Sequence, residues 1–131
     1  MPEQIDATAE LAEPAVDRAD QQADQQAQRL AERCLHAMLD ADAASAALGI
    51  RPISVGPGRA ELALRITPAM LNGHGIGHGG VVFSLADTAF AVACNSYNRS
   101  TVAAGCDIDF VAPVADGDEL TAIAVERYRR G

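Results

Sequence analysis

Between Ile66 and Asn98 the chain carries a single formally charged residue, Asp87. Its surroundings in residues 79–94, Gly79-Gly-Val-Val-Phe-Ser-Leu-Ala-Asp-Thr-Ala-Phe-Ala-Val-Ala-Cys94, are otherwise apolar or small. An ionised carboxylate in such a setting is costly unless paired or hydrogen-bonded, and burial shifts its pKa. Acids perturbed in this way concentrate at functional sites. Such an acid can act as general base toward water or attack an electrophilic carbon itself. Just upstream runs Asn72-Gly-His-Gly-Ile-Gly-His78-Gly-Gly80, a loop whose only side chains of any bulk are Asn, His and Ile. Gly79 and Gly80 fall where a helix should begin, so their backbone N–H groups lack intrahelical partners and favour negative charge. Glycine also lets a ligand approach the backbone closely. A loop suited to negative charge, leading into a helix that holds a lone acid, reads as an active site.

The elements that must position these residues follow from periodicity. Over residues 80–97 apolar side chains surround the helical wheel, which is the pattern of a buried helix. From Gln25 onward Leu30, Cys34, Leu35, Met38 and Leu39 recur at helical spacing, which predicts an amphipathic packing helix. Asp42 is placed to cap a short helix over 43–48, which Gly49 closes. Residues 50–55 read as a strand and Gly56-Pro57-Gly58 as a turn. Over 59–67, Ala60, Leu62, Leu64 and Ile66 alternate with Arg59, Glu61, Arg65 and Thr67, which predicts a half-buried antiparallel strand ended by Pro68. Residues 101–111 alternate similarly, with Val102, Ala104, Cys106, Ile108 and Phe110 set against Asp107 and Asp109, and a last strand is expected over 119–129. The order is helix, strand, strand, buried helix, strand, strand. Hairpin-length turns imply antiparallel pairing, and hence an α+β fold with a sheet wrapped around one central helix.

Composition narrows the function classes. The chain has 131 residues, enough for one domain with a real core. Its net charge is −8, but seven of its eighteen acids and one of its ten arginines lie in residues 1–24, so that segment carries −6 and the rest −2. Residues 1–24 are poor in large apolar side chains and are expected to form an acidic, disordered or loosely helical tail before a domain spanning 25–131. No basic patch supports nucleic-acid binding. Cys34, Cys94 and Cys106 show no paired spacing and read as small buried thiols of a reducing cytosol. There is no basic and apolar leader at the N-terminus, and residues 79–94 are too short to span a membrane, so a cytoplasmic location with no membrane partner is expected.

The loop and helix together resemble a known family. Asn72, His78-Gly79-Gly80 and Phe83-Ser-Leu-Ala-Asp87-Thr-Ala-Phe90 are similar to the motifs of hotdog-fold acyl-CoA thioesterases, most closely the PaaI type of phenylacetate degradation. The likeness runs from about Arg29 to the end of the chain. It implies an antiparallel sheet wrapped around a central buried helix. That fold carries two more strands after the one expected over 119–129, so the sheet is expected to lack its last two strands and the domain to be incomplete at its C-terminal side. The resemblance also implies thioester hydrolysis, with phenylacetyl-CoA or a hydroxylated or related aryl-acyl-CoA as substrate and no cofactor. Hydrolysis needs a donor for the developing oxyanion and an activator for water. The Gly79 N–H is the expected donor, and Asp87 is the expected base or nucleophile. The resemblance assigns Asn72 to positioning water or the carboxylate and His78 to shaping the loop. Gly80, Thr88 and Phe83 are expected at the substrate.

Geometry then predicts assembly. Asp87 is eight residues past Gly79, about 12 Å along a helix. One thioester carbon cannot comfortably reach both from the same helix. Two antiparallel helices across a two-fold axis bring the start of one to the middle of the other, as the family does, and give two shared sites. Geometry thus leads to a homodimer, and the resemblance implies that the dimers pair into a tetramer.

The remaining candidates carry less. His74 and His78 are four apart, but the glycines between them argue against a helical metal pair, so no metal is expected. His36 reads as a surface residue of its helix. Phe90, like Phe83, suits packing or the wall of an acyl pocket. Arg127, Arg129 and Arg130 have the chemistry to meet CoA phosphates but read more simply as a solvated strand end. Two rival functions share the fold: a hotdog dehydratase, which the lone Asp disfavours, and a non-catalytic acyl-CoA-binding module, which gains little from an acid beside a polyanionic ligand.

Overall fold

A computed structural model describes residues 15–129. Helix α1, Ala15–Ala41, and helix α2, Ala43–Leu48, precede strands β1, Arg51–Gly56, and β2, Arg59–Arg65. Helix α3, Gly79–Asn95, follows a 3-10 turn at Pro68–Met70, and strand β3, Glu119–Val125, comes last. The sheet order is β1-β2-β3, antiparallel throughout, with Leu62 opposite Ala122 and Arg65 opposite Glu119.

The core forms where two periodicities meet. The period-2 face of β2 buries Ala60, Leu62 and Leu64, and Ile66 continues it just past the strand. The inner face of α3 supplies Leu85, Ala89, Val92 and Ala93. Leu35 and Ile50 join the same cluster, with Met38 and Leu39 of α1 packed against it. Each large side chain buried here contributes roughly 1.5–3 kcal/mol.

Local chemistry fixes the connections. The Asp42 carboxylate accepts the Ser45 N–H at 2.9 Å and starts α2, which Gly49 ends in the left-handed conformation at φ +73°. Gly58, in the β1–β2 turn, donates its N–H to the Ser96 hydroxyl at 2.8 Å. That hydroxyl donates in turn to the Ala93 carbonyl, so the hairpin is locked to the end of α3.

Three expectations are corrected. First, the packing helix read from Gln25 starts at Ala15 instead, within the segment expected as a disordered or loosely helical tail, and residues 18–26 are solvent-exposed. The alanine and glutamine of this segment favour a helix even without an apolar stripe; residues 1–14 lie outside the described residues. Second, residues 101–111 form no strand. They are exposed throughout, and among the described residues their backbone pairs with no ladder. The alternation is present, but a strand also needs a neighbour. Third, α3 is not buried all round. Ala86, Asp87 and Phe90 are exposed, because the sheet covers only the face carrying Leu85, Ala89 and Val92. Among the described residues no helix is long and apolar enough to cross a membrane.

Candidate active site

The loop before α3 is built by its own polar groups. Leu71 and Gly77 form a bridge, and the Asn72 N–H donates to the Ile76 carbonyl at 2.8 Å. The Asn72 side-chain carbonyl accepts the His74 N–H at 2.9 Å and the Ile76 N–H at 3.4 Å. This is the local side-chain-to-backbone bonding by which Asn favours turns. Gly75, at φ +74°, completes the reversal. The loop is held from outside by Gly77 N–H to the Val114 carbonyl at 2.7 Å and His78 N–H to the Met70 carbonyl at 2.8 Å.

His78 is the N-cap of α3. Its imidazole Nδ1 accepts the Gly80 N–H at 2.9 Å, and its carbonyl accepts Val81 N–H at 2.9 Å and Val82 N–H at 3.3 Å. Of the first four amides of α3, three are thereby occupied. The Gly79 N–H has no acceptor among the described residues. Gly79 lines a cavity of about 470 Å³ with Asn72, Ile76, Val82, Ile108, Phe110 and Val114 among its walls. The Phe110 ring rests on the glycine: a Cβ at Gly79 would stand 3.2 Å from Phe110 Cζ.

Asp87 lies two turns further along α3. It is exposed, which corrects the expectation of an acid buried in apolar surroundings. Its carboxylate has no hydrogen bond or ion pair among the described residues. It lines a second cavity, of about 210 Å³, with Phe83, Ala86 and Phe90 from α3. Residues 83, 87 and 90 share one helical face by their spacing. The opposite wall comes from Ala103, Gly105, Cys106, Asp107 and Ile108.

The structure therefore brings Asn72, Gly79 and His78 together at the start of α3, and Asp87 with Phe83 further along. Gly80 belongs to the first group, with its N–H already bound by His78. Thr88 does not join either group. Its hydroxyl donates to the Ser84 carbonyl at 2.9 Å and meets the Ser45 hydroxyl at 3.0 Å, which ties α3 to α2. His74 and His36 are exposed, and among the described residues no three potential ligands gather at a metal-binding distance. Arg129 stacks 4.0 Å above the Tyr97 ring and lies 3.8 Å from Glu126, Arg127 is exposed, and Arg130 lies outside the described residues. Sequence reasoning misses Phe110, Cys106 and Asp107 as site residues. The alternation that sets Cys106, Ile108 and Phe110 on one face is the available signal, but by itself it reads as core.

Residues 74–129 match the family described as the thioesterase superfamily. The chain is 52% identical over 94 residues to the acyl-coenzyme A thioesterase PaaI of Escherichia coli K12, covering 72% of this chain and 67% of that protein. A putative esterase of Deinococcus radiodurans is 42% identical over 84 residues, covering 63% of this chain and 57% of its own length. In structure, the chain is similar to the E. coli PaaI protein of the phenylacetic acid degradation operon, with a TM-score of 0.77, 48% identity and coverage of 79% and 75%. It is also similar to a variant of the phenylacetic acid degradation protein PaaI from Thermus thermophilus, with a TM-score of 0.66, 36% identity and coverage of 68% and 76%. With 52% identity over two thirds of the E. coli relative and a matching fold, the chain belongs to the thioesterase superfamily, as a PaaI-type hotdog-fold thioester hydrolase.

Proposed function

We propose that this protein hydrolyses acyl-CoA thioesters, with phenylacetyl-CoA or a hydroxylated or related aryl-acyl-CoA as substrate, at sites shared between two protomers. The E. coli relative is named an acyl-coenzyme A thioesterase and comes from the phenylacetic acid degradation operon, which supports the substrate class. The observation that carries the reading is the pair of unpartnered groups on α3. The Gly79 N–H and the Asp87 carboxylate are both without partners among the described residues, and they line different cavities.

In this reading the thioester carbonyl accepts the Gly79 N–H, where the helix dipole adds to the attraction for negative charge. Removing one such donor typically costs 10²- to 10³-fold in kcat. The partner's copy of the acid supplies the second function. Asp87 either takes a proton from the attacking water or attacks the carbonyl carbon itself. In the first case oxygen bonds to carbon, the carbon–sulfur bond breaks, and the proton passes to the departing thiolate. In the second the attack breaks the carbon–sulfur bond and leaves a mixed anhydride, which water then cleaves, restoring the carboxylate and giving a proton to the thiolate. Asn72 spends its side-chain carbonyl on the loop, which leaves its amide nitrogen to hold water or substrate in the Gly79 cavity. Phe83 walls the acyl group beside Asp87. The dimers pair into a tetramer, and the enzyme works in the cytoplasm without a cofactor. The free thiols of Cys34, Cys94 and Cys106 suit that compartment.

Thiol release from a panel of acyl-CoAs tests the reading, run on the wild type and on Asp87→Asn. Expected are preference for phenylacetyl-type substrates and a loss of about 10²-fold or more in kcat for Asp87→Asn at unchanged thermal midpoint. Turnover retained by Asp87→Asn removes Asp87 from the chemistry, and binding of acyl-CoA without thiol release turns the protein into a binding module.

A further inference from the structure

The start of α3 holds two adjacent glycine amides, and only one is free. The Gly80 N–H is bound by His78 Nδ1 at 2.9 Å, and the Gly79 N–H has no acceptor among the described residues. Nδ1 accepts, so the ring proton of the neutral imidazole sits on Nε2. The imidazole is itself anchored through its backbone, since His78 N–H donates to the Met70 carbonyl at 2.8 Å and its carbonyl holds Val81 and Val82. We infer that His78 is a positioning residue that works by capping: it occupies Gly80 and leaves Gly79 as the single amide presented to the substrate. The inference rests on the reading of Gly79 as the oxyanion donor, and deepens it.

Three features of the structure support the division. An N-cap acceptor satisfies the amide two or three residues on, and here it is the second one that is taken. A Cβ on Gly80 would stand 3.1 Å from His78 Nδ1, so a glycine there lets the ring close onto the backbone. The cap also sets the direction of the neighbouring Gly79 N–H, because both amides belong to one rigid turn. A donor displaced by about 1 Å loses on the order of 10²-fold in rate, so a cap that fixes the turn acts on kcat more than on KM. In this role the imidazole transfers no proton, and another cap with an acceptor of similar reach can stand in for it.

Four variants test the inference: His78→Ala, His78→Asn, Gly79→Ala and Gly79→Pro, each measured for kcat and KM on phenylacetyl-CoA and for thermal midpoint. Proline is well accepted at the first helical position, and His78 already has the extended conformation, φ −66° and ψ 129°, that precedes a proline. Gly79→Ala places the same Cβ against Phe110 but keeps the N–H, so the two Gly79 variants differ in the amide. Expected is a kcat for Gly79→Pro about 10²-fold below that of Gly79→Ala. His78→Ala is expected to lose about tenfold or more in kcat with little change in KM, and His78→Asn to recover most of that loss, since Asn is among the best N-caps. A His78→Asn enzyme as impaired as His78→Ala overturns the capping role, and so does a His78→Ala enzyme with wild-type kcat. If His78→Ala does not fold, His78→Asn decides alone: near-wild-type kcat supports the cap and a loss of about 10²-fold overturns it. If the two Gly79 variants are equally active, the Gly79 reading itself fails. A difference between them with a fully active His78→Ala sinks only the role of His78.

Discussion

Gly79 and Asp87 sit on one continuous helix, α3, and line different cavities, with Ile108 in the wall of both. Eight residues of helix separate them by about 12 Å along the axis. A helix is too stiff to bring its start and its middle to one carbon atom. The exposed face carrying Ala86, Asp87 and Phe90 is therefore where a second copy would have to present its own helix start. In the proposed shared site, the two cavities would be halves that neither protomer completes alone.

That relationship predicts complementation. Asp87→Asn chains and Gly79→Pro chains should each be inactive alone. In a two-fold dimer of one of each, one site carries both defects and the other carries neither. Purified heterodimers should therefore regain about half of wild-type turnover. A site contained within one protomer would give none, so absence of recovery in verified heterodimers rejects sharing.

Cys106 offers an independent probe of the Asp87 cavity. It is exposed, which corrects the expectation of a buried thiol, and lines that cavity, whereas Cys94 is half-buried and its thiol is pushed up by burial and then by the charge of Glu126. The thiolate is the reactive form, so Cys94 should react slowly with iodoacetamide. Cys106 should be alkylated first, turnover should fall in step with it, and a non-hydrolysable acyl-CoA should protect it. Peptide mapping by mass spectrometry, run beside the activity assay, reads all three. Full activity after complete alkylation of Cys106 would place the acyl group elsewhere.

How much of this is legible in the sequence depends on which physical signal each residue gives. The strand of Ala60, Leu62 and Leu64 and the cap pair Asp42 and Gly49 are readable because period and capping chemistry are local. Residues 101–111 carry the same alternation as β2, but alternation says which side chains differ, and not whether a neighbouring strand is within reach. The apolar circumference of α3 reads as burial. Hydrophobicity does not distinguish a face covered by its own chain from one that chain leaves exposed, and Phe90 is of the second kind. Asn72 and His78 announce themselves by type. Their use in shaping the loop depends on backbone geometry around Gly75 and Gly80 that only the folded loop defines.

Acid stability depends on the Asp42 cap of α2. Hydrogen bonds from the Ser45 hydroxyl, then from the Ser45 backbone N–H, hold the Asp42 carboxyl below the usual carboxylate range. The native state thus binds this proton less readily than the unfolded chain does. The charged cap then stabilises the fold fully above the unfolded pKa of about 3.9, and that contribution is lost as pH falls through the lower native value. Asn at this position still offers an acceptor to the Ser45 N–H but has no charge to lose. At neutral pH the Asp42→Asn protein should therefore unfold at slightly lower denaturant than wild type, and Asp42→Ala should cost more, roughly 0.5–2 kcal/mol. Below about pH 4 the gap between wild type and Asp42→Asn should shrink toward zero. Urea midpoints across that range measure it, and a gap that stays constant with pH would show that the carboxylate charge contributes nothing to the cap.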